Sequence, residues 1–233
     1  MPTDLRRVLI LWVTWIVVTL GIYFILSAVV PGTPPMVASL WIIVVVSGLV
    51  AAGVSWARWW RAVGYTPVSA WRDTIWLAVP AVLTLLPLVG GIKPIDGGAY
   101  ALLIAGYALT GFAEETMFRG VLVRLLEKRS PMMIAIMTSI LFGLVHLSNI
   151  FIRGNVAVIA AQAVGAAAFG FGYVAIRQRT NTLVPLLVTH MLTDLFLQMG
   201  NLPLIPVAVV QDLILFGAGL YLLRGWAPPS TSR

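Results

Sequence analysis

The chain has no cysteine and few charged residues, and both shortages narrow what it can be. The absence of cysteine from 233 residues excludes disulfides, thiolate metal ligands and a cysteine nucleophile. Only 10% of the residues are charged, whereas 60% are hydrophobic. This balance lies outside the range of soluble proteins and is typical of polytopic membrane proteins. We therefore expect one integral membrane domain that covers residues 1–233.

The charges that are present are mostly positive, with a formal net charge of +7. In a soluble protein this excess would suggest a nucleic-acid partner. Here the basic residues flank long apolar stretches, so they are better explained by orientation in a bilayer. We expect no nucleic-acid partner and a multi-pass protein of a prokaryotic plasma membrane.

The apolar stretches predict an all-α membrane bundle of about eight transmembrane helices. The third stretch is the weakest because Pro80 and Pro87 interrupt it, and it is expected to be kinked or partly interfacial. The predicted spans are Val8–Val30, Met36–Ala57, Thr74–Val89, Ala99–Leu126, Pro131–Ile150, Val156–Ile176, Leu183–Met199 and Leu204–Leu223.

The basic residues predict the orientation of these spans. Lys93 and Arg153 are the two that fall on the side opposite the N-terminus, and Arg119 lies within a span. Because cytoplasmic loops are enriched in lysine and arginine, both termini are expected to be cytoplasmic. The twelve on the N-terminal side are Arg6, Arg7, Arg58, Arg61, Arg72, Arg124, Lys128, Arg129, Arg177, Arg179, Arg224 and Arg233.

Several polar side chains lie deep within the predicted spans, where charge is costly. A charged group at the centre of a bilayer costs roughly 2.5–3.5 kcal/mol on insertion scales and is usually retained for function. Glu115 and Arg119 stand four residues apart, so they can pair on one helix face. The spans put these groups at similar depths, and we expect them to share one polar cavity. They are Glu114, Glu115, His146, His190 and Asp194, the two histidines being the only ones in the chain.

A carboxylate beside a histidine in such a cavity can take a proton from water, which gives hydrolysis without a covalent intermediate. Successive helix residues point about 100° apart, so Glu114 and Glu115 cannot serve the same purpose. One is expected to face the substrate and the other to face Arg119. Other hydrolase designs are poorly supported, because no HExxH zinc motif and no pair of intramembrane aspartates occurs.

Three short motifs carry a resemblance to a known family. EETMFR (Glu114 to Arg119) resembles the EExxxR motif of the CAAX protease and bacteriocin-processing (CPBP, or Abi) family of intramembrane proteases. FGLVH (Phe142 to His146) is similar to its FxxxH motif, and HMLTD (His190 to Asp194) is similar to its HxxxN or HxxxD motif. The resemblance covers about residues 99–199, the expected catalytic core.

The resemblance implies an intramembrane endopeptidase, of the type II CAAX prenyl endopeptidase kind, that acts on a prenylated or other membrane-associated peptide. By analogy, Glu114 and His146 would activate the attacking water. Glu115 and Arg119 would hold the site together. The expected partners are the lipid bilayer and a peptide or lipidated protein substrate, and the oligomeric state stays open.

The third motif is expected to stabilise the oxyanion through His190 and Asp194, and Phe142 of the second motif is expected to contact the substrate. Asp194 departs from the asparagine of the CAAX branch, because an ionised aspartate repels an oxyanion that an amide would stabilise. Asp194 is therefore expected to be protonated or to orient His190.

Some alternatives remain open at this point. No cofactor is favoured, but a zinc ion held by His146, His190, Glu114 and Asp194 would suit the ligand preferences of that metal. The protein could also be a non-catalytic membrane scaffold or a bacteriocin-immunity type of protein. A proton-coupled transporter is a further alternative, although no pair of broken helices in inverted halves is recognisable.

Overall fold

A computed structural model describes residues 2–94 and 97–226, so the predicted topogenic residue Arg233 lies outside the described residues. Within the described ranges every regular element is helical, which confirms the predicted all-α class, and an isolated bridge joins Ile92 to Gly200. The α-helices are α1 (Thr3–Val29), α2 (Pro35–Ala57), α3 (Ala78–Leu85), α4 (Gly97–Glu114), α5 (Leu122–Leu125), α6 (Pro131–Val145), α7 (Asn149–Arg153), α8 (Val156–Thr180), α9 (Val184–Met199) and α10 (Leu204–Leu223).

In the described part of the chain, six helical stretches are long and apolar enough to cross a membrane. Helix α9, with 16 residues, is a shorter apolar helix. The protein is therefore an integral multi-pass membrane protein, and the predicted count of eight spans stays a prediction. The weak third span is a composite, because 3₁₀ turns at Trp71–Leu77 and Leu86–Gly90 flank α3. Proline lacks the amide hydrogen that a continuous helix needs there.

The predicted fourth span is also interrupted. Helix α4 ends at Glu114, a π-helix follows over Glu115–Val121, and α5 completes the segment. Single π-turns are rare and occur frequently at functional sites. No feature of the sequence predicted this change of helix type.

Helix α8 lies in the middle of the bundle, packed against α6 and α10. Glycine makes both contacts close: a Cβ atom on Gly143 of α6 would overlap the backbone of Ala163, and one on Gly172 would overlap the backbone of Leu215. Small residues of this kind allow helices to approach each other in lipid. The close packing holds α6, and with it the histidine at its end, in a fixed position.

The basic connections meet at one end of the bundle, which we call the basic end. Arg129 donates two hydrogen bonds to the carboxylate of Asp4, at 2.8 and 3.1 Å, and so joins the N-terminus to the α5–α6 connection. Arg179 donates to the carbonyl of Leu222 near the end of α10. Lys93 lies at the opposite end, where its amide donates to the carbonyl of Met199. The predicted segregation of positive charge therefore agrees with the packing.

Candidate active site

The imidazole of His190 lies at the centre of a cluster formed by three carboxylates. Its Nδ1 atom is 2.8 Å from Oε1 of Glu115. Its Nε2 atom faces Oε2 of Glu114 at 3.8 Å and Oδ2 of Asp194 at 3.7 Å. Three of the residues singled out from the sequence thus converge on a fourth, His190. Because α4 and α9 pack against each other, residues 75 positions apart in sequence meet here.

The predicted pairing of Glu115 with Arg119 is present. Nη1 of Arg119 lies 3.3 Å from Oε1 of Glu115, and both side chains are 0% exposed. The guanidinium carbon lies 3.9 Å from the centre of the Phe142 ring, within the range of a cation–π interaction. Opposite charges and an aromatic face together offset part of the cost of burying an arginine.

This ion pair is incompletely hydrogen-bonded. The three guanidinium nitrogens of Arg119 and Oε2 of Glu115 make no hydrogen bond to another described residue. Buried polar groups in folded proteins are nearly always satisfied, so each exception calls for an explanation. A pair kept only for stability would gain from replacement by apolar side chains, which favours a functional reason for this one.

His146 lies at the end of α6, on the other side of Phe142. The carbonyl oxygen of Phe142 accepts a hydrogen bond from Nδ1 of His146 at 2.8 Å. This bond fixes the proton on Nδ1 and leaves Nε2 as an acceptor. The Phe142 ring centre is 4.8 Å from the His146 ring and 6.3 Å from the His190 ring. The second motif therefore joins the first and third motifs.

Phe142 is only 2% exposed, because Arg119 and the two histidines cover it. Its ring supports the site from within, and direct contact with a substrate stays a prediction for this residue.

Neighbouring glutamates have different environments, as expected from helix geometry. The side chain of Glu115 is fully buried, whereas that of Glu114 is 16% exposed and that of Asp194 is 31% exposed. Glu114 and Asp194 are therefore the carboxylates of the cluster that remain partly accessible. Glu115 orients His190 by accepting its Nδ1 proton.

The π-helix that carries Glu115 is held from the basic end. The hydroxyl groups of Thr116 and Tyr65 are hydrogen-bonded to each other at 2.7 Å. A Cβ atom on Gly120 would lie 2.9 Å from Cβ of Val63. The connection between α2 and α3 thus supports the motif helix directly. The sequence did not predict this contact, because it depends on tertiary packing.

Asp212 of α10 is a further intramembrane acid that the sequence interpretation missed, so its statement that the spans hold no pair of aspartates was wrong. Its carboxylate lies over Gly165 of α8, where a Cβ atom would overlap it. Asp194 is close enough to act on it electrostatically. The signal was available, since an aspartate interrupts the apolar run of the last span and such residues are functional candidates by default.

The zinc site that remained an alternative is not formed by the described residues, because no group of three or more histidine, aspartate or glutamate side chains among them is arranged to hold a metal ion. Nδ1 of His190 is bonded to Glu115 and Nδ1 of His146 to a backbone carbonyl, so Nε2 of each is the atom that could ligate. The arrangement of the side chains, rather than these hydrogen bonds, therefore departs from the predicted ligand set.

Comparison with known proteins identifies the segment that holds the site. The family model of the Rce1-like type II CAAX prenyl endopeptidases matches residues 96–196. This match contains all three motifs and confirms the resemblance that they predicted. Comparisons with curated proteins and with solved structures give no match.

Proposed function

We propose, on the premise that residues 96–196 match the Rce1-like type II CAAX prenyl endopeptidases, that this protein is an intramembrane endopeptidase that cleaves a peptide with an activated water. The observation that carries the proposal is the convergence of Glu114, Glu115 and Asp194 on His190. Structural ion pairs also occur in membrane bundles, but three carboxylates around one imidazole are costly in lipid.

The proposed chemistry begins with the proton on Nδ1 of His190. Glu115, held by Arg119, accepts this proton in a hydrogen bond and so directs Nε2 toward Glu114 and Asp194. A general base acts on a water within hydrogen-bond reach. Glu114 fits this role because it is the partly exposed glutamate, and Nε2 of His146 offers a second acceptor.

In the reaction, the water oxygen attacks the carbonyl carbon of the peptide bond while Glu114 takes one of its protons. The carbonyl oxygen becomes an oxyanion, which either Nε2–H of His190 in its imidazolium form or a protonated Asp194 stabilises. The carbon–nitrogen bond then breaks, and the proton held by Glu114 passes to the leaving amine. The new carboxylic acid then gives up its proton to the amine, so the products are a carboxylate and an ammonium group, and atoms and charge balance.

The substrate class is proposed from the family match alone. A CAAX-type substrate is a protein with a prenylated cysteine near its C-terminus, and the partly exposed apolar helices around the site are compatible with a lipidated chain. The alternative is a non-catalytic scaffold, and the test must distinguish it from an endopeptidase.

The test is cleavage of a prenylated CAAX peptide library by the purified protein in detergent, with and without a chelator. Glu114→Gln is expected to lower kcat by about 10²–10⁴-fold, the usual contribution of a general base. The matched control is Glu127→Gln, which removes a half-exposed carboxylate paired with Arg124 and should leave kcat unchanged. Retained cleavage in a folded Glu114→Gln protein would overturn the assignment, and no cleavage of any peptide by the parent would favour a scaffold.

A further inference from the structure

Helix α8 carries none of the three motifs, yet its side chains pack directly against the catalytic cluster. Phe169 and Tyr173 stand four residues apart on one face of this helix, and their rings stack with centres 4.0 Å apart. The centre of the His190 imidazole lies 4.9 Å from the Phe169 ring and 6.1 Å from the Tyr173 ring. Both aromatic side chains are buried. The sequence interpretation assigned no site residue to this helix.

The same two rings lie beside the guanidinium of Arg119. Its central carbon is 5.8 Å from the centre of the Phe169 ring and 5.9 Å from that of Tyr173, in addition to the 3.9 Å contact with Phe142. All three distances are within the range of cation–π attraction. Because the guanidinium nitrogens make no hydrogen bond to another described residue, aromatic faces take the place of the usual acceptors around a buried arginine.

Gly170 allows this close approach. A Cβ atom on Gly170 would lie 3.1 Å from Nη2 of Arg119 and 3.2 Å from Cδ1 of Phe142. Optimal separations between non-bonded carbon atoms are about 3.5–4.0 Å, so any larger side chain would have to move the arginine or the ring. One turn of α8 therefore supplies two aromatic surfaces and the space between them.

A hydrogen bond joins this turn of α8 to α9 beside the catalytic histidine. The hydroxyl of Tyr173 donates to Oγ1 of Thr189 at 3.0 Å, and Thr189 directly precedes His190. The terminal torsion of a histidine side chain is broad, so the imidazole needs neighbours that restrict its rotation. The rings on α8 provide them, while Nδ1 stays on Glu115 and Nε2 faces Glu114.

We propose that Phe169, Gly170 and Tyr173, which we call the α8 wall, are positioning residues of the active site. They hold Arg119 against Glu115 and keep the imidazole of His190 in the orientation that the reaction requires. The inference rests on the proposed function and adds to the three motifs a fourth helix on which the chemistry depends. It also gives the incompletely hydrogen-bonded ion pair a reason, because its geometry is set by packing against this wall.

Substitution of the glycine tests the wall with the smallest possible change. Gly170→Ala is expected to lower kcat about threefold to tenfold, and Gly170→Val about 10²-fold, because misplacement of reacting groups by about 1 Å costs about that much. KM should stay within about twofold, since the wall orients the cluster and does not hold the peptide. The same peptide assay measures both constants.

Gly217 of α10 provides the matched controls, because a Cβ atom there would have no described neighbour within 4 Å outside its own helix. Gly217→Ala and Gly217→Val should leave kcat unchanged. A folded Gly170→Val protein with the kcat of the parent would overturn the proposal, as would an equal loss from both valine variants.

A pair of replacements at Tyr173 separates positioning from a purely structural role. Tyr173→Phe keeps the ring and should retain kcat within about threefold, although the bond to Thr189 is lost. Tyr173→Leu removes the ring and should lower kcat at least tenfold at unchanged KM. Tyr221→Leu, at an exposed position of α10, is the control. If both Tyr173 variants lowered only the melting temperature and left kcat unchanged, the residue would be structural and the proposal would fail.

Thermal unfolding tests the wall without any substrate. Gly170→Ala is expected to lower Tm in the parent, where the added methyl group meets Arg119 and Phe142. In a protein with Glu115→Gln and Arg119→Met, the same change should raise Tm by about 2–4 °C, because alanine is the better helix former. Equal shifts in both backgrounds would refute the wall.

The two experiments together separate this inference from the proposed function. A parent that cleaves peptides, with unchanged kcat in Gly170→Val, would refute the positioning role and leave the endopeptidase intact. A parent that cleaves nothing, with the expected opposite shifts in Tm, would refute the proposed function and leave the packing of Arg119 against α8 as inferred.

Discussion

Glu114 and Glu115 are neighbours in the chain, but they belong to two different halves of the polar cluster. The enclosed half consists of Glu115, Arg119 and Thr116, all 0% exposed, with an ion pair and a hydrogen bond to Tyr65 of the α2–α3 connection. The open half consists of Glu114, His146 and Asp194, which retain contact with the surroundings. The enclosed half therefore holds His190 in place, whereas the open half contains the groups to which the proposed function assigns contact with a substrate.

The enclosed half is broken most severely by Arg119→Ala. Glu115 would be left as an unpaired charge in the interior, which costs about 3–5 kcal/mol of unfolding free energy. Thermal unfolding in detergent measures the loss. Arg124→Ala, which removes an ion pair with Glu127 whose two side chains are 40% and 47% exposed, is the control and should cost about 1 kcal/mol or less. Equal losses from both would refute the special position of Arg119.

The open half is expected to tolerate a neutral replacement. Asp194→Asn should keep kcat within about tenfold of the parent, because the amide can donate to an oxyanion. The pH–rate profile should change, since one titrating group is removed. The same peptide assay measures both quantities. Complete loss of cleavage by a folded Asp194→Asn protein would instead favour a role that needs the carboxylate, such as metal ligation.

Asp212 of α10 lies near Asp194, so its replacement tests whether the open half of the cluster extends to α10. Its carboxylate is close to another carboxylate, Asp194, and it forms no ion pair with a residue that the structure describes. Asp212→Asn is therefore expected to raise the unfolding free energy by about 1 kcal/mol, because a partly buried charge without a partner is costly. Thermal unfolding checks this, with Asp73→Asn as the control. A lower stability would show that the charge of Asp212 has a partner.

The smallest effect is expected from Tyr65→Phe, which removes the hydroxyl that meets Thr116. One hydrogen bond is worth about 0.5–1.5 kcal/mol, so stability should fall by that amount with little change in kcat. Tyr23→Phe in α1 serves as the matched control. If Tyr65→Phe lowered kcat more than tenfold at constant stability, Tyr65 and Thr116 would have to be assigned to the open half of the cluster.

Much of the site could be predicted because helical spacing is local. The four-residue separation of Glu115 and Arg119 was sufficient to predict their ion pair. The predicted start of the fifth span at Pro131 is likewise the start of α6, where the Ser130 hydroxyl accepts a hydrogen bond from the amide of Met133. Convergence of three motifs followed from their similar depth in the membrane.

The features that escaped prediction depend on contacts between distant parts of the chain. The α2–α3 connection, residues 58–70, contains Trp59, Trp60 and Tyr65 among arginines. This pattern suits the membrane interface as well as the interior. Only its partners, Thr116 and the α8–α9 connection, decide its position. Asp212 could have been found from sequence, but its proximity to Asp194 required the packing of α10.

The π-helix over Glu115–Val121 has one further consequence. Its wider turns hold one more residue than an α-helix of the same length. The side chains before it therefore point in a different direction, relative to those after it, than they would on an uninterrupted α-helix. Deletion of a single residue in this stretch would let the segment relax to a regular helix without breaking the span. The hydrophobic length would barely change, but Glu114 would rotate away from His190. The register of the chain at this point, rather than its polarity, therefore decides whether the two glutamates can serve the same imidazole.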